Sequence, residues 1–198
     1  MMLILSSPSG AGKTTLSKKI QQKFQNFKIS VSHTTRKSRS NEVDGVDYFF
    51  IDQIEFKKKI ENGDFYEYAK IFENYYGTTK KSVQDLLANK KDILFDIDWQ
   101  GTQQLSKYKD LDFIKIFILP PSKKELEKRL YERNQDKKEV VKKRLESYDI
   151  DRLHWSEYDH VLVNDNLELC FKQIEKIIVD QNKKSLLSWR SFLKILLI

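Results

Sequence analysis

Ser7-Pro8-Ser9-Gly10-Ala11-Gly12-Lys13-Thr14 decides the fold of this 198-residue chain. The stretch follows the apolar run Leu3-Ile4-Leu5 and opens residues 14–24, where Leu16, Ile20 and Phe24 recur every four positions along one helix face. It is therefore a strand–loop–helix junction. Its spacing fits the phosphate-loop pattern G-x-x-x-x-G-K-[ST], with Ser7 in the first position. Gly10 and Gly12 let the backbone curl so that successive N–H groups face inward, and the helix N-terminus completes an anion nest. Lys13 is placed to reach the β- and γ-phosphates of a nucleotide. The Thr14 hydroxyl is placed to join a Mg²⁺ shell.

Outward from this loop, residues 29–31, 93–95, 114–119 and 161–163 are short apolar runs of strand length, rich in branched side chains. Helical patterns lie between them, at 83–87, 126–130 and 140–145, and Phe171, Ile174, Ile177 and Ile178 mark a late amphipathic helix. Strands alternating with helices predict an α/β fold, a parallel sheet covered by helices on both faces. Asp96 and Asp98 follow the run at 93–95. An acidic residue at that strand end is where a phosphate-loop fold contacts Mg²⁺, largely through water, which makes Asp96 a metal candidate beside Thr14.

Two stretches break the rhythm. Residues 33–81 are rich in Tyr and Phe, with expected turns at Asp44-Gly45, Asn62-Gly63 and Tyr76-Gly77, and predict a β-rich insertion. Residues 122–152 are highly charged and helical, with Arg129, Arg133 and Arg144, and hold too little apolar material to be pinned firmly. The expected division is a single domain over 1–182, with a core of about 1–32, 82–121 and 153–182. The apolar extension at 183–198 is expected to dock on the body or on a second subunit, since its Trp189, Phe192 and Leu193 would otherwise be exposed.

Composition narrows the classes further. Apolar residues at 39% suffice for a core and exclude wholesale disorder. A formal charge of +7 suits an anionic partner, and the absence of an aromatic-basic recognition motif argues against nucleic acid. The single cysteine, Cys170, excludes an internal disulfide and a cysteine zinc site. The first ten residues lack a basic leader, and no run reaches the roughly 18 apolar residues that span a bilayer. The expectation is a cytoplasmic protein without stable membrane insertion.

The insertion carries its own chemistry. Arg36 and Arg39, with tyrosines nearby, can grip a phosphate dianion through forked and neutral donors. A buried carboxylate in the segment Gly63-Asp64-Phe65-Tyr66-Glu67-Tyr68 would accept from guanine N1–H and its 2-amino group together, a donor pair that adenine lacks. Hydroxyls of Ser32 and Thr78 could serve O6 and N7.

These segments resemble the guanylate kinase family. The likeness runs from residue 3 to about 180 through SSPSGAGKTT, SVSHTTRKSRSNEVDGVDYFF, GDFYEYAKIFENYYGTT, ILFDIDWQG, IFILPPS and VLVND. It implies a P-loop NTPase-type parallel sheet with a GMP-binding insertion and a helical lid. It also implies transfer of the ATP γ-phosphoryl group to GMP, with Mg²⁺. By resemblance, Ser7, Pro8, Ser9, Gly10, Ala11, Gly12, Lys13 and Thr14 bind ATP. Arg36, Arg39, Tyr48 and Tyr76 bind the GMP phosphate. Ser32, Glu67 and Thr78 read guanine, with Glu42 in support and Asp98 nearby. Arg129, Arg133 and Arg144 are the lid arginines that close over ATP phosphates, and Asn164 falls near the adenine ring. The implied partners are ATP and GMP, and the expected state is a monomer or homodimer. The chain departs from the family at Ser7, usually Gly, and at residues 132–136, where glycines are common.

Overall fold

The computed structural model of the chain describes residues 1–132 and 138–196, without the side chains from residue 185 onward. Strands β1 (Met2–Ser6) and β2 (Phe27–Ile29) flank helix α1 (Lys13–Lys23). The next segment holds β3 (His33–Thr34), β4 (Phe49–Phe50), helix α2 (Gln53–Glu61), β5 (Phe65–Ile71) and β6 (Asn74–Thr79). Helix α3 (Lys80–Ala88), β7 (Asp92–Asp96), helix α4 (Trp99–Leu105) and β8 (Phe113–Leu119) follow. Helices α5 (Lys123–Glu132) and α6 (Lys138–Asp151) lead through a short 3-10 helix (Arg152–Glu157) to β9 (His160–Val163) and helix α7 (Leu167–Leu196).

The core is a five-stranded parallel sheet ordered β2-β7-β1-β8-β9. Leu3 of β1 pairs with Leu94 on one side and Ile114 on the other. Alternation along β1 explains the two cores. Leu3 and Leu5 face α1 and α7, packing with Leu16, Ile20, Phe171 and Ile174. Ile4 faces the opposite layer with Val83, Phe95, Leu105 and Tyr158. Because the neighbours β7 and β8 depart to opposite sides of β1, a crevice opens beyond the carboxyl end of β1.

A second sheet, ordered β4-β3-β6-β5, stands beside this crevice. Its aromatic character gives it a core of its own. Phe56 of α2 is fully buried and stacks on Phe65 at 4.6 Å and on Tyr75 at 5.3 Å between ring centroids. That one side chain, worth about 1.5–3 kcal/mol of burial, fixes α2 to the sheet. The side chain of Gln104 on α4 pairs with both main-chain groups of Tyr68, at 3.1 Å and 2.7 Å, and so clamps β5 to the core.

The structure corrects the sequence reading in several places. The strand expected at 29–31 lies two residues earlier, where Phe27 enters the core. Gly45 and Gly63 do adopt positive φ, but Tyr76-Gly77 is no turn. Gly77 lies inside β6, where an added Cβ would approach the Glu67 carbonyl to 3.0 Å. Glycine here permits close strand approach, and the hairpin turns at Phe72 and Glu73, with Phe72 at φ +54. Helices α2 and α4 lack an apolar stripe long enough to be read, since only Phe56 is buried on α2 and α4 spans seven residues.

Helices α5 and α6 share a small separate core of Leu126, Leu130, Val141 and Tyr148. From α6, Lys143 reaches Glu73 at the hairpin tip, 3.2 Å away, with both side chains exposed. Arg133 and the glycine-poor stretch that follows lie outside the described residues, as do the side chains on which docking of the C-terminal extension depends. No described helix is long and apolar enough to cross a membrane.

Candidate active site

The phosphate loop leaves β1 at the crevice. Gly10 and Gly12 hold φ of +95° and +102°, conformations that L side chains rarely adopt, and Gly12 caps α1. Among the described residues the only others outside glycine with positive φ are Phe72 and Lys90. The entry position therefore requires no glycine, and Ser7 fills it while donating from Oγ to the Pro8 carbonyl at 2.9 Å. Lys13 reaches back across the crevice to the end of β7. Its Nζ lies 2.6 Å from Asp96 Oδ1 and donates to the Ile97 carbonyl at 2.8 Å. The Thr14 side chain is exposed at the first turn of α1.

Opposite the loop, the second sheet presents a basic and a polar corner. In the basic corner Arg36 makes a bidentate pair with Glu42, at 2.9 Å and 2.8 Å. Glu42 also accepts from the Arg39 main-chain N–H at 2.8 Å, and the Arg39 guanidinium lies 3.6 Å from it. Burial alone would raise the Glu42 carboxyl, but these donors outweigh it and hold its pKa below the usual range. Burial also works against the Arg36 charge, yet the hydrogen bonds it donates to Glu42, with Tyr76 nearby, leave its pKa raised. The Arg36 guanidinium lies 5.4 Å from the Tyr48 ring centre, and Tyr48 meets Tyr76 edge to face at 5.9 Å. Burial, with Asp96 nearby, pushes the Tyr48 phenol up, so it stays a neutral donor. Two fixed cations and two phenols thus converge with one carboxylate holding them in register.

In the polar corner Glu67 is a carboxylate with 3% exposure. A β-bulge between Phe65 and Glu67 turns it inward against Thr78 of β6. Thr78, its partner across the strands, favours the charged form of this carboxylate through its hydroxyl and main-chain N–H. The Ser32 hydroxyl is 3.3 Å from that of Thr78. Burial raises the Glu67 pKa to about 7. Asp98 adds to the rise, while Thr78 and Lys13 oppose it. Asp98 is itself raised by burial and accepts from the Gly101 N–H at 2.9 Å as the N-cap of α4. The charges of Lys13 and Asp98 felt at Glu67, and of Asp96 felt at Tyr48, join the two corners to the loop in one cleft.

The structure brings together Ser7 to Thr14, Ser32, Arg36, Arg39, Glu42, Tyr48, Glu67, Tyr76, Thr78, Asp96 and Asp98. Arg129 lies behind the loop, with Nη1 donating to the Asn164 carbonyl at 2.9 Å and Nε to Glu125 at 2.9 Å. Arg144 stands on α6. Asn164 does not line open space. It is buried, and its amide donates to the Ala11 carbonyl at 2.8 Å. Two contributors escaped the sequence reading. Gly101 makes room for Glu67, since a Cβ there would fall 2.5 Å from its Oε2. Thr102 bonds Ser6 at 3.0 Å and Tyr158 at 2.9 Å beneath the loop. A glycine three residues after Asp98, where α4 begins, was the available signal for the first.

Comparison with known proteins agrees with this geometry. The sequence model of the Guanylate kinase family matches residues 1–181. The chain is 47% identical over 186 residues to the guanylate kinase of Maricaulis maris, covering 94% of this chain and 85% of that one. It is 45% identical over 184 residues to that of Novosphingobium aromaticivorans, covering 93% and 83%. The crystal structure of guanylate kinase from Anaplasma phagocytophilum superposes with a TM-score of 0.75 at 34% identity, over 91% of this chain and 85% of that one. The SH3-kinase fragment of tight junction protein 3 shares the fold alone, with a TM-score of 0.51 at 11% identity, over 91% of this chain and 56% of that one. A phosphate loop facing a buried carboxylate, together with these relatives, places the chain in the guanylate kinase family of nucleoside monophosphate kinases acting on GMP.

Proposed function

We propose that the cleft aligns ATP on the phosphate loop with GMP on the second sheet, and that the residues named above take the following roles. Gly10, Ala11, Gly12 and the start of α1 cradle the ATP phosphates, with Ser7, Pro8 and Ser9 shaping the entry. Arg36, Arg39, Tyr48 and Tyr76 hold the GMP phosphate, and Glu42 orients the two arginines. Glu67 accepts from guanine N1–H and the 2-amino group, Ser32 and Thr78 serve its other edge, and Asp98 fixes α4 beside them. The observation that carries this reading is Glu67, a buried carboxylate paired across the strands with Thr78, its space reserved by Gly101.

A GMP phosphate oxygen attacks the γ-phosphorus in line, its bond to phosphorus forms, and the bond to the ADP oxygen breaks. The attacking oxygen is already anionic near pH 7, so no general base is needed. The protein's task is alignment and charge neutralisation. Lys13 lies where charge spreads during transfer. Arg129, Arg133 and Arg144 belong to the segment 122–152, which we assign as the lid over the ATP phosphates, with 33–81 as the GMP-binding region of the domain 1–182.

The donors beside the loop suit Mg²⁺. One exposed hydroxyl, Thr14, and one strand-end carboxylate, Asp96, leave room for the waters this ion keeps, and among the described residues no three His, Cys, Asp or Glu form a closed cage. Bound there, mainly through water at Asp96, it would neutralise the β- and γ-phosphates. The implied partners are ATP and GMP as small molecules, in a cytoplasmic setting, with the protein as monomer or homodimer. A coupled assay of ADP release with GMP, AMP, CMP and UMP tests the reading. The expected outcome is a preference for GMP of at least roughly 100-fold, as a site that pairs both donors of one base requires. Comparable rates with AMP would overturn it.

A further inference from the structure

We propose that Asn164 is a positioning residue for the phosphate loop, and that through it and Arg129 the curvature of the loop is tied to helix α5. The inference rests on the ATP-binding reading of that loop.

A loop whose N–H groups turn inward to meet phosphate must turn carbonyl oxygens outward, into the protein behind it. Ala11, between the two left-handed glycines, is fully buried. Its carbonyl cannot reach water, and a buried acceptor needs a donor. Asn164 supplies one, from Nδ2 at 2.8 Å. The donor is itself rigidly mounted. Asn164 follows β9, and its main-chain N–H donates to the Leu119 carbonyl at the end of β8, at 2.8 Å. The amide thus transmits the position of two core strands to the middle of the loop.

Gly12 bears the mark of this contact. A Cβ on Gly12 would lie 2.3 Å from Asn164 Nδ2, so the amide can approach only a glycine. The other glycine is walled by α5, where a Cβ on Gly10 would meet Leu130 and Leu126 at 2.8 Å and 2.9 Å. Arg129, between those leucines on α5, donates to the Asn164 carbonyl. Helix α5 therefore bears on both ends of the loop's tight curve, directly at Gly10 and through Asn164 at Gly12. This differs from the adenine contact that the resemblance implies. An amide engaged with Ala11 acts on the phosphates through the loop, and its effect is blind to the base.

The test compares wild type with Asn164→Ala and Asn164→Asp. The second is nearly isosteric but offers no donor to a carbonyl. Binding is measured by calorimetry for ATP, for ITP, whose base lacks the 6-amino group, and for inorganic tripolyphosphate, which has no base. Turnover is measured with GMP as acceptor. We expect all three donors to weaken by a similar factor of roughly 5- to 100-fold, the equivalent of one buried acceptor left unpaired, while the KM for GMP stays within twofold. A loss confined to ATP would overturn the proposal in favour of an adenine contact. So would unchanged binding of tripolyphosphate, or a parallel loss of GMP affinity. Should Asn164→Ala fail to fold, Asn164→Asp and Asn164→Ser carry the same comparison. Wild type that releases no ADP with GMP yet binds tripolyphosphate would refute the functional reading while leaving this one standing.

Discussion

The two halves of the cleft are built on different principles. The proposed donor half is eight consecutive residues, a main-chain cradle curled by Gly10 and Gly12 at positive φ, with the Lys13 side chain beside it. The acceptor half is assembled from side chains spread between Ser32 and Gly101, drawn from β5, β6, α4 and the loops around β3 and β4. Main-chain N–H groups recognise phosphate and ignore what it is attached to. Side chains such as Glu67, in the role proposed above, recognise a pattern of donors. On the proposed reading, one half gives binding strength common to many nucleotides, and the other confers selectivity.

The sharpest way to break this comparison is Lys13→Ala, which strikes first at the donor half. Loss of a fixed positive charge beside the transferring group should lower kcat by on the order of 10³-fold. Calorimetric binding of GMP should weaken far less than turnover falls, because Lys13 acts on Glu67 only as a distant charge. A variant retaining a tenth of wild-type turnover would show that Lys13 is not at the reacting phosphate.

Glu67→Gln probes the other half. An amide offers one acceptor oxygen where the carboxylate offers two, and it points a donor at a donor. The kcat/KM for GMP should fall by roughly 10²-fold, while the KM for ATP stays near wild type. Equal losses for donor and acceptor would mean that the two halves are not separable.

The smallest effect, and the finest test, is in pH. Burial holds the Glu67 pKa near 7 in the unligated protein. Guanine needs the ionised form, so below that value a proton must leave before GMP binds. The KM for GMP should rise as pH falls from 7 and should be nearly flat above 8; because the GMP phosphate also gains a proton at about pH 6, the part due to Glu67 is the part that Glu67→Gln lacks. The same raised value works against the empty fold: stability from the neutral carboxyl is complete below about pH 4.5 and is lost as pH rises through about 7. A KM for GMP that is level between pH 6 and 8 would remove Glu67 as the titrating group.

This contrast also explains what could be read from the chain. The loop was legible because its function depends on local spacing. The parallel sheet was legible because its strands are buried on both faces and read as unbroken apolar runs. The acceptor corner was legible only as a set of chemistries in a recognisable order. Its geometry depends on close approaches that composition cannot reveal. Gly77 looked like a turn and is an interior strand position against the Glu67 carbonyl. Gly101 looked like nothing and frames the Glu67 carboxylate. For Asn164 the resemblance implies only a place near the adenine ring, and the bond from its amide to Ala11, more than 150 positions earlier in the chain, was not legible. Such pairings arise only when β1, β8 and β9 come together.

The exposed bridge between Lys143 and Glu73 joins the charged helical segment to the tip of the acceptor hairpin. An exposed ion pair contributes about 0.2–1 kcal/mol, a bias of at most about fivefold toward the joined arrangement. At physiological ionic strength, with a screening length of about 8 Å, it weakens further. A tether of that strength can guide two bodies into register without trapping them. An enzyme that must release two charged products each cycle gains from such weakness, because a tight latch would make reopening the slow step.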